Sequence, residues 1–231
     1  CYNIYPSDIC TAVACMRGYT MLNRDFYLRD ANRVAPELLG CLLVSESPEG
    51  RCAGIIVEVE AYKGDCDKGA HSFKNKRTPR TEIQFGPGGY AYIFKIYGMY
   101  DCFNIVTNKE GIPDVVLVRA LEPVEGIALM EKRRGSKNGS RGLCSGPGKL
   151  CQALGISGAD YGADLCASRI YVEGSETADK KSILVSPRVN IDYAQECAEF
   201  PWRYFIKDCP WVSNVPQKYR DRYSIYSEHS E

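Results

Sequence analysis

The sequence predicts an α+β fold, a single domain of antiparallel strands with a few short helices, on three observations. β-Branched and aromatic runs recur along the chain, and the turn signals between them, Ser47-Pro48-Glu49-Gly50 and Asn108-Lys109-Glu110-Gly111, are too short to join anything but antiparallel neighbours. Helical signals are few and brief, as expected where helices pack on an antiparallel sheet. The chain has 231 residues, enough for one sizeable core, and shows no interdomain linker, internal repeat or low-complexity tract.

Residues 1–20 carry no clear period and read as an N-terminal arm, leaving 21–231 as the domain. A short helix is expected from Asp30 as its cap, with Val34 and Leu38 inward and Gly40 as its stop. Cys41 to Glu46 reads as a strand folded by the Pro48–Gly50 turn onto a second, Gly54 to Tyr62. Side chains two apart share a strand face. Ile56, Glu58, Glu60 and Tyr62 are therefore expected on one face, and Ile55, Val57, Val59 and Ala61 on the other. The segment Tyr90 to Tyr100 is rich in aromatics, which form either a core or a platform for flat ligands. Asp101 to Thr107 and Asp114 to Ala120 read as a further antiparallel pair.

Glu122-Pro123-Val124-Glu125 is expected to open a helix, with proline in its first turn and acids favourable to its dipole, and Glu131 to Arg134 to end it. A Gly/Ser loop with positive charge follows at Ser136 to Gly142. Cys144 to Leu154 reads as a glycine-rich turn into a short helix, whose free amides and Lys149 suit a phosphate. The spacing GxxxxGK[ST] is missing, which excludes a nucleotide-triphosphate loop. Strands are expected again at Arg169 to Glu173, Lys181 to Ile191 and Trp202 to Ile206.

The formal net charge of zero argues against a generally sticky polyanion binder but leaves room for local basic patches. Two stand out: Lys74, Lys76, Arg77 and Arg80 in one loop, and Lys132, Arg133, Arg134, Lys137 and Arg141 in another. Twelve cysteines without a CxxC pair in a chain this long read as free thiols in a reducing compartment; a zinc site around Cys144 and Cys151 has no usual finger spacing. No run approaches a membrane span. Ile9 to Met16 lacks the basic leader of a secretory signal, and no targeting address is read from a chain that opens at Cys1 rather than Met.

Within fifty residues the chain gathers a strand acid (Glu60), a tyrosine two residues on (Tyr62), a loop histidine (His71) and an aromatic strand. Singly these have ordinary explanations: Glu60 as a strand-edge acid paired with an arginine, His71 as a hydrogen-bonded loop histidine, Tyr90 and its neighbours as core. Together, a glutamate able to act as base for a water, flat rings to grip a planar group and flanking basic loops fit a nucleobase drawn out of a nucleic-acid stack.

The motifs Val57-Glu58-Val59-Glu60-Ala61-Tyr62, Ala70-His71-Ser72, Arg77-Thr78-Pro79-Arg80, Ile96-Tyr97-Gly98-Met99-Tyr100, Asn104-Ile105, Leu117 to Pro123, Leu143 to Leu154 and Pro210-Trp211-Val212-Ser213 follow one another in the order of a known family. From about Asp25 to Ser213 the chain resembles the alkyladenine (3-methyladenine) DNA glycosylases. The resemblance implies a curved antiparallel sheet and a monofunctional base-excision glycosylase that uses no metal or other cofactor. Glu60 would be the general base that deprotonates the attacking water. Arg119 would orient that water and touch a phosphate, with the main-chain carbonyl near Val189 as a third holder. Tyr62 and His71 would stack on one side of a flipped purine and Phe94 on the other, above Asn104 at a pocket floor that disfavours the exocyclic amine of guanine. Tyr97, Met99 and Tyr100 would enter the minor groove, Tyr97 as the wedge. Arg77, Arg80 and Lys149 would contact DNA.

The family commonly has Tyr where this chain has Phe94, so stacking is expected without the hydrogen bond of that hydroxyl. Two extra residues between Asn104 and Arg119 are expected in the exposed Asn108 to Pro113 turn. The implied substrates are 3-methyladenine, 7-methylguanine, ethenoadenine and hypoxanthine in duplex DNA. The implied state is a monomer without membrane contact, nuclear in a eukaryotic source and cytoplasmic or nucleoid-associated in a bacterial one. Two other readings of the residues remain: a lesion-binding module without catalysis, and an RNA-binding domain resembling the C-terminal domain of formyltransferases.

Overall fold

The structure is a computed structural model that describes residues 19–135, 142–174, 182–220 and 222–227. Among the described residues ten strands form one sheet, and every pairing in it is antiparallel. In chain order these are β1 (Thr20–Met21), β2 (Leu42–Ser47), β3 (Gly50–Tyr62), β4 (Ala91–Ile96), β5 (Tyr100–Thr107), β6 (Asp114–Glu125), β7 (Ile170–Gly174), β8 (Ile183–Ser186), β9 (Arg203–Ile206) and β10 (Ser224–Ile225). The main path runs β1-β7-β2-β3-β6-β5-β4, with β9, β8 and β10 branching from β3. The helices are α1 (Arg24–Tyr27), α2 (Ala31–Leu38), α3 (Ile127–Arg134), α4 (Pro147–Leu154) and α5 (Gln217–Arg220). Among the described residues no helix is long and apolar enough to cross a membrane. The arm expected at residues 1–20 lies outside the described residues except at its end, where Thr20 pairs with Gly174.

The helix expected from Asp30 is α2. Its cap is made by the Asp30 carboxylate accepting from the Asn32 N–H at 2.8 Å, and Val34 and Leu38 are fully buried. The β2–β3 hairpin forms as expected, Leu42 opposite Ile55.

β3 organises the sheet, because its two edges have different lengths of partner. On one edge β6 follows it almost throughout; on the other β2 covers Gly50–Ile55 and β9 covers Glu58–Glu60. Where the partner changes, the β3–β6 ladder is irregular. Ile56 faces Leu121, Glu58 faces Ala120 and Val59 faces Val118, so Val57 on one strand and Arg119 on the other have no opposite number. Each extra residue reverses the in/out alternation, so the faces expected for β3 need correcting. Ile56 does not share a face with Glu58, Glu60 and Tyr62; it joins Val59 and Ala61 in the main core, with Val116, Val118 and Leu121 from β6.

The segment Glu122–Glu125 is a second correction. It does not open a helix but ends β6, pairing with β3 as far as Glu125, and α3 starts only at Ile127 after Gly126 at φ 72°. Pro123 is tolerated because β5 leaves β6 after Leu117 and the Cys144–Ser145 stretch that then covers this edge pairs at Ala120 and Leu121, ahead of the proline, where a missing N–H costs little. The strand expected over Lys181 to Ile191 is shorter, Ile183–Ser186, because Pro187 ends it. Most of the Ser136 to Gly142 loop, with Lys137 and Arg141, falls outside the described residues. The nine described cysteines are unpaired. Cys144 and Cys151 are core residues rather than zinc ligands, and among the described residues no group of His, Cys, Asp or Glu is placed to hold a metal.

Candidate active site

One face of β3, β4, β5 and β6 forms the floor of a cavity of about 720 Å³. The register writes its central row across the sheet: Tyr92 opposite Asn104, Asn104 opposite Leu117, Leu117 opposite Glu60. Tyr92, Phe94 and Ile96 alternate toward the cavity on β4, while Ala91 and Ile93 turn into the core. On β6 the alternation Val115, Leu117, Arg119 faces the cavity, and the bulge at Arg119 then turns Leu121 back into the core. The other walls are Ala70 and His71, Val189 to Ile191 with Tyr193, and the Gly146–Lys149 turn into α4.

Glu60 lies beneath this floor rather than on it. Its carboxylate is fully buried under three residues that do line the cavity. Oε1 accepts from the Val189 N–H at 2.8 Å, Oε2 accepts from Tyr62 Oη at 2.7 Å, and Arg119 Nη1 lies 3.3 Å from Oε2. The main chain at Val189 therefore meets Glu60 with its N–H. A carboxylate has about four lone-pair directions, so three partners leave one acceptor position. Tyr62 is held well above its ordinary pKa by burial and by the negative charge of Glu60, which keeps its proton on the donor side of that bond. Behind its ring, 4.5 Å away, stands the guanidinium of Arg188, fully buried and paired with Asp67.

Arg119 bridges two acids, with Nε 3.0 Å from Glu58 Oε1 and Nη1 toward Glu60. Burial opposes its charge, but the carboxylates of Glu60 and Glu58 outweigh that and hold its pKa above the ordinary value.

His71, Phe94 and Arg80 form a second cluster. His71 and Phe94 meet edge to face with centroids 4.6 Å apart, and the Arg80 guanidinium lies 5.0 Å over the Phe94 ring. Arginine only donates, so the 3.2 Å contact from Arg80 makes His71 Nε2 the acceptor and places the neutral ring's proton on Nδ1, which donates to Tyr92 Oη at 2.8 Å. Burial, with Arg80 beside it, lowers the His71 pKa to about 4. Tyr62, His71 and Phe94 are thus gathered at one cavity, but His71 and Phe94 touch, and a ring laid against Phe94 needs Arg80 or His71 to turn aside. Asn104 sits on the floor, its amide N–H groups donating to the carbonyls of Tyr92 at 3.1 Å and Cys102 at 3.3 Å.

The β4–β5 hairpin carries the exposed apolar tip. Tyr97 at φ 52° and Gly98 at φ 69° make a turn of two left-handed residues, closed by the Met99 N–H on the Ile96 carbonyl at 3.2 Å. A tyrosine there costs about 1 kcal/mol of backbone strain. The turn holds Tyr97 76% exposed and Met99 68%, with Tyr100 48% exposed at the base. Lys149 and Arg80 line the cavity, whereas Arg77 does not: its Nε and Nη2 donate to Glu82 at 2.8 and 2.6 Å.

Some lining residues have no signal in the sequence. Tyr92 is legible only as a member of an aromatic strand, and Asn190, Ile191 and Tyr193, with Val189 that the resemblance had named, reach the cavity because the chain leaves β8 at Pro187.

The methylpurine-DNA glycosylase (MPG) family matches residues 25–210. The chain is similar to proteins named "Putative 3-methyladenine DNA glycosylase" in bacteria and archaea. It is 48% identical over 199 residues to those of Desulfitobacterium hafniense (strain Y51) and Alkaliphilus oremlandii (strain OhILAs), covering 83% of this chain and 98% of each relative. It is 47% identical over 194 residues to that of Methanocella arvoryzae, covering 84% of this chain and 96% of the relative.

Proposed function

The chain belongs to the methylpurine-DNA glycosylase family and is a DNA glycosylase, a hydrolase of DNA repair; from that premise we propose that it draws a damaged purine out of duplex DNA into the β3–β6 cavity and releases it with a water activated by Glu60. The observation that carries this reading is the transverse row, which sets a buried carboxylate with one acceptor position left under a cavity lined by Tyr62, His71, Phe94 and Asn104. In the step proposed, the C1′–N bond to the purine breaks and its electron pair leaves with the base. The water oxygen bonds to C1′ and its proton passes to Glu60, leaving an abasic sugar. A neighbouring carboxylate also stabilises the oxocarbenium-like centre that develops on the sugar.

A methylated purine is cationic, so it is the better leaving group and the better partner for electron-rich rings. Substrates of this class are 3-methyladenine and 7-methylguanine, with ethenoadenine and hypoxanthine as the neutral members. Stacking the base between Tyr62 and Phe94 requires the edge-to-face contact of His71 with Phe94 to open, and Arg80 is the cation that would leave Phe94 for a phosphate. Tyr97 fills the gap in the duplex, with Met99 and Tyr100 beside it in the minor groove and Lys149 on the backbone. Arg77, exposed and paired with Glu82 through Nε and Nη2, turns Nη1 toward the DNA backbone. One chain suffices for all of these contacts.

The test is single-turnover base release on duplexes carrying one 7-methylguanine, ethenoadenine or hypoxanthine. The expected outcome is an alkali-labile site at the lesion and none in undamaged duplex. Lesion binding without any base release would instead make the protein a damage-binding module.

A further inference from the structure

The other acid of β3, Glu58, and the stretch Pro210-Trp211-Val212-Ser213 have no part in the reaction so far, and the structure joins them. The Glu58 carboxylate is fully buried, and three donors converge on it: Arg119 Nε at 3.0 Å and Arg203 Nε at 2.7 Å on Oε1, and the Ser213 backbone N–H at 2.7 Å on Oε2. Arg203 stands on β9 opposite Glu60 and also donates from Nη1 to Ser186 Oγ at 3.1 Å. The connection continues through Arg119, whose Nη1 reaches Glu60 Oε2 at 3.3 Å. Two carboxylates and two guanidiniums thus balance, and of the four only Arg119 lines the cavity.

A guanidinium is planar with its donors in fixed directions, so pinning Nε sets where Nη1 points. Glu58 does the pinning, and Ser213 with Arg203 fixes Glu58 in turn. We propose that Glu58 is a positioning residue: through Arg119 Nε it holds the guanidinium against Glu60, and residues 210–213 serve the reaction by delivering the Ser213 amide to this clamp. The inference rests on the reading of Glu60 given above.

Glu58→Gln keeps the shape and removes the charge. Two readouts separate positioning from support. The first is water exchange of the Arg119 Nε proton, followed by side-chain NMR on arginine-labelled protein and assigned by its disappearance in Arg119→Lys. The second is base release against lesion-duplex affinity. In Glu58→Gln the proton is expected to exchange at least about tenfold faster and base release to slow by at least about tenfold at unchanged affinity, as expected when a reacting group is misplaced rather than removed. Placed on Arg119→Lys, the same substitution is expected to slow release by less than about threefold more, since the two act as one unit.

Unchanged exchange, or equal slowing in both backgrounds, would overturn the proposal in favour of a role in folding alone. Should Glu58→Gln fail to fold, Arg203→Lys replaces it, with a smaller slowing that also vanishes on Arg119→Lys; slowing that persists there overturns the proposal. If the unaltered protein releases no base, the exchange measurement still decides: protection lost in the variant upholds the clamp and refutes the role of Glu60, while a proton unprotected in both refutes the clamp.

Discussion

The two faces of the β3–β6 pair are buried alike and made of opposite material. Behind the sheet, Ile56, Val59 and Ala61 of β3 pack on Val116, Val118 and Leu121 of β6 without a polar atom among their side chains. In front, the same strands bury Glu58, Glu60 and Arg119, with Arg203 from β9. The apolar face needs only volume and non-directional contact, so it tolerates small errors. The charged face is stable only if every carboxylate and guanidinium meets its partner, because an unpaired buried charge costs far more than a lost methyl group. The bulges at Val57 and Arg119 let one pair of strands serve both, by reversing the alternation where the core requirement gives way to that of the site.

Substitutions should separate the faces. Arg119→Met leaves Glu60 without its guanidinium in the dry interior and Glu58 with Arg203 alone; it should cost about 3–5 kcal/mol in denaturant unfolding and abolish base release. If its stability matched the unaltered chain, the front face would not be the tight charge network drawn here. Val59→Ala, set between the two acids in sequence but on the other face, should cost about 2 kcal/mol with base release unchanged in folded protein. A loss of activity beyond the loss of folded protein would show that the faces are coupled.

Tyr97→Gly removes the side chain from a left-handed turn that glycine accepts freely, so stability should hold or rise by up to about 1 kcal/mol while lesion-duplex affinity falls about tenfold. Unchanged affinity would remove the tip from DNA recognition.

The smallest effect concerns His71. Its folded pKa of about 4 lies below the ordinary 6.5, so the unfolded chain takes up its proton first as pH falls. The contribution of His71 to stability is therefore full above pH 6.5 and lost progressively down to about pH 4. A ring titration by NMR should place its midpoint near 4, and a midpoint at 6.5 would show that neither burial nor Arg80 acts on it.

Much of the apolar face was legible in the sequence, because alternation is a local property. The β2–β3 hairpin and the Asp30 cap follow from turn and capping signals, whereas Phe94 and Asn104 are named only by the resemblance and Tyr92 is legible only as a member of an aromatic strand. Ile56 was misplaced because a bulge depends on the partner strand and leaves no mark on β3 itself. Glu122–Glu125 was misread because proline among acids marks a helix start and a free strand edge equally. On the charged face Glu60 and Arg119 were visible as motif residues. Arg203 and Arg188 were not, and Ser213 stood in a motif without a role, since each reaches the site across more than 120 positions of sequence and its part is recognisable only by what it touches.

Glu60→Gln in single-turnover base release on an ethenoadenine duplex, measured beside the affinity for the same duplex, tests the central claim most directly. Removing a general base should slow release by about a thousandfold with affinity within about threefold of the unaltered protein. Release within about tenfold of the unaltered rate would mean that the acid beneath the cavity supports the fold and does not act on the water.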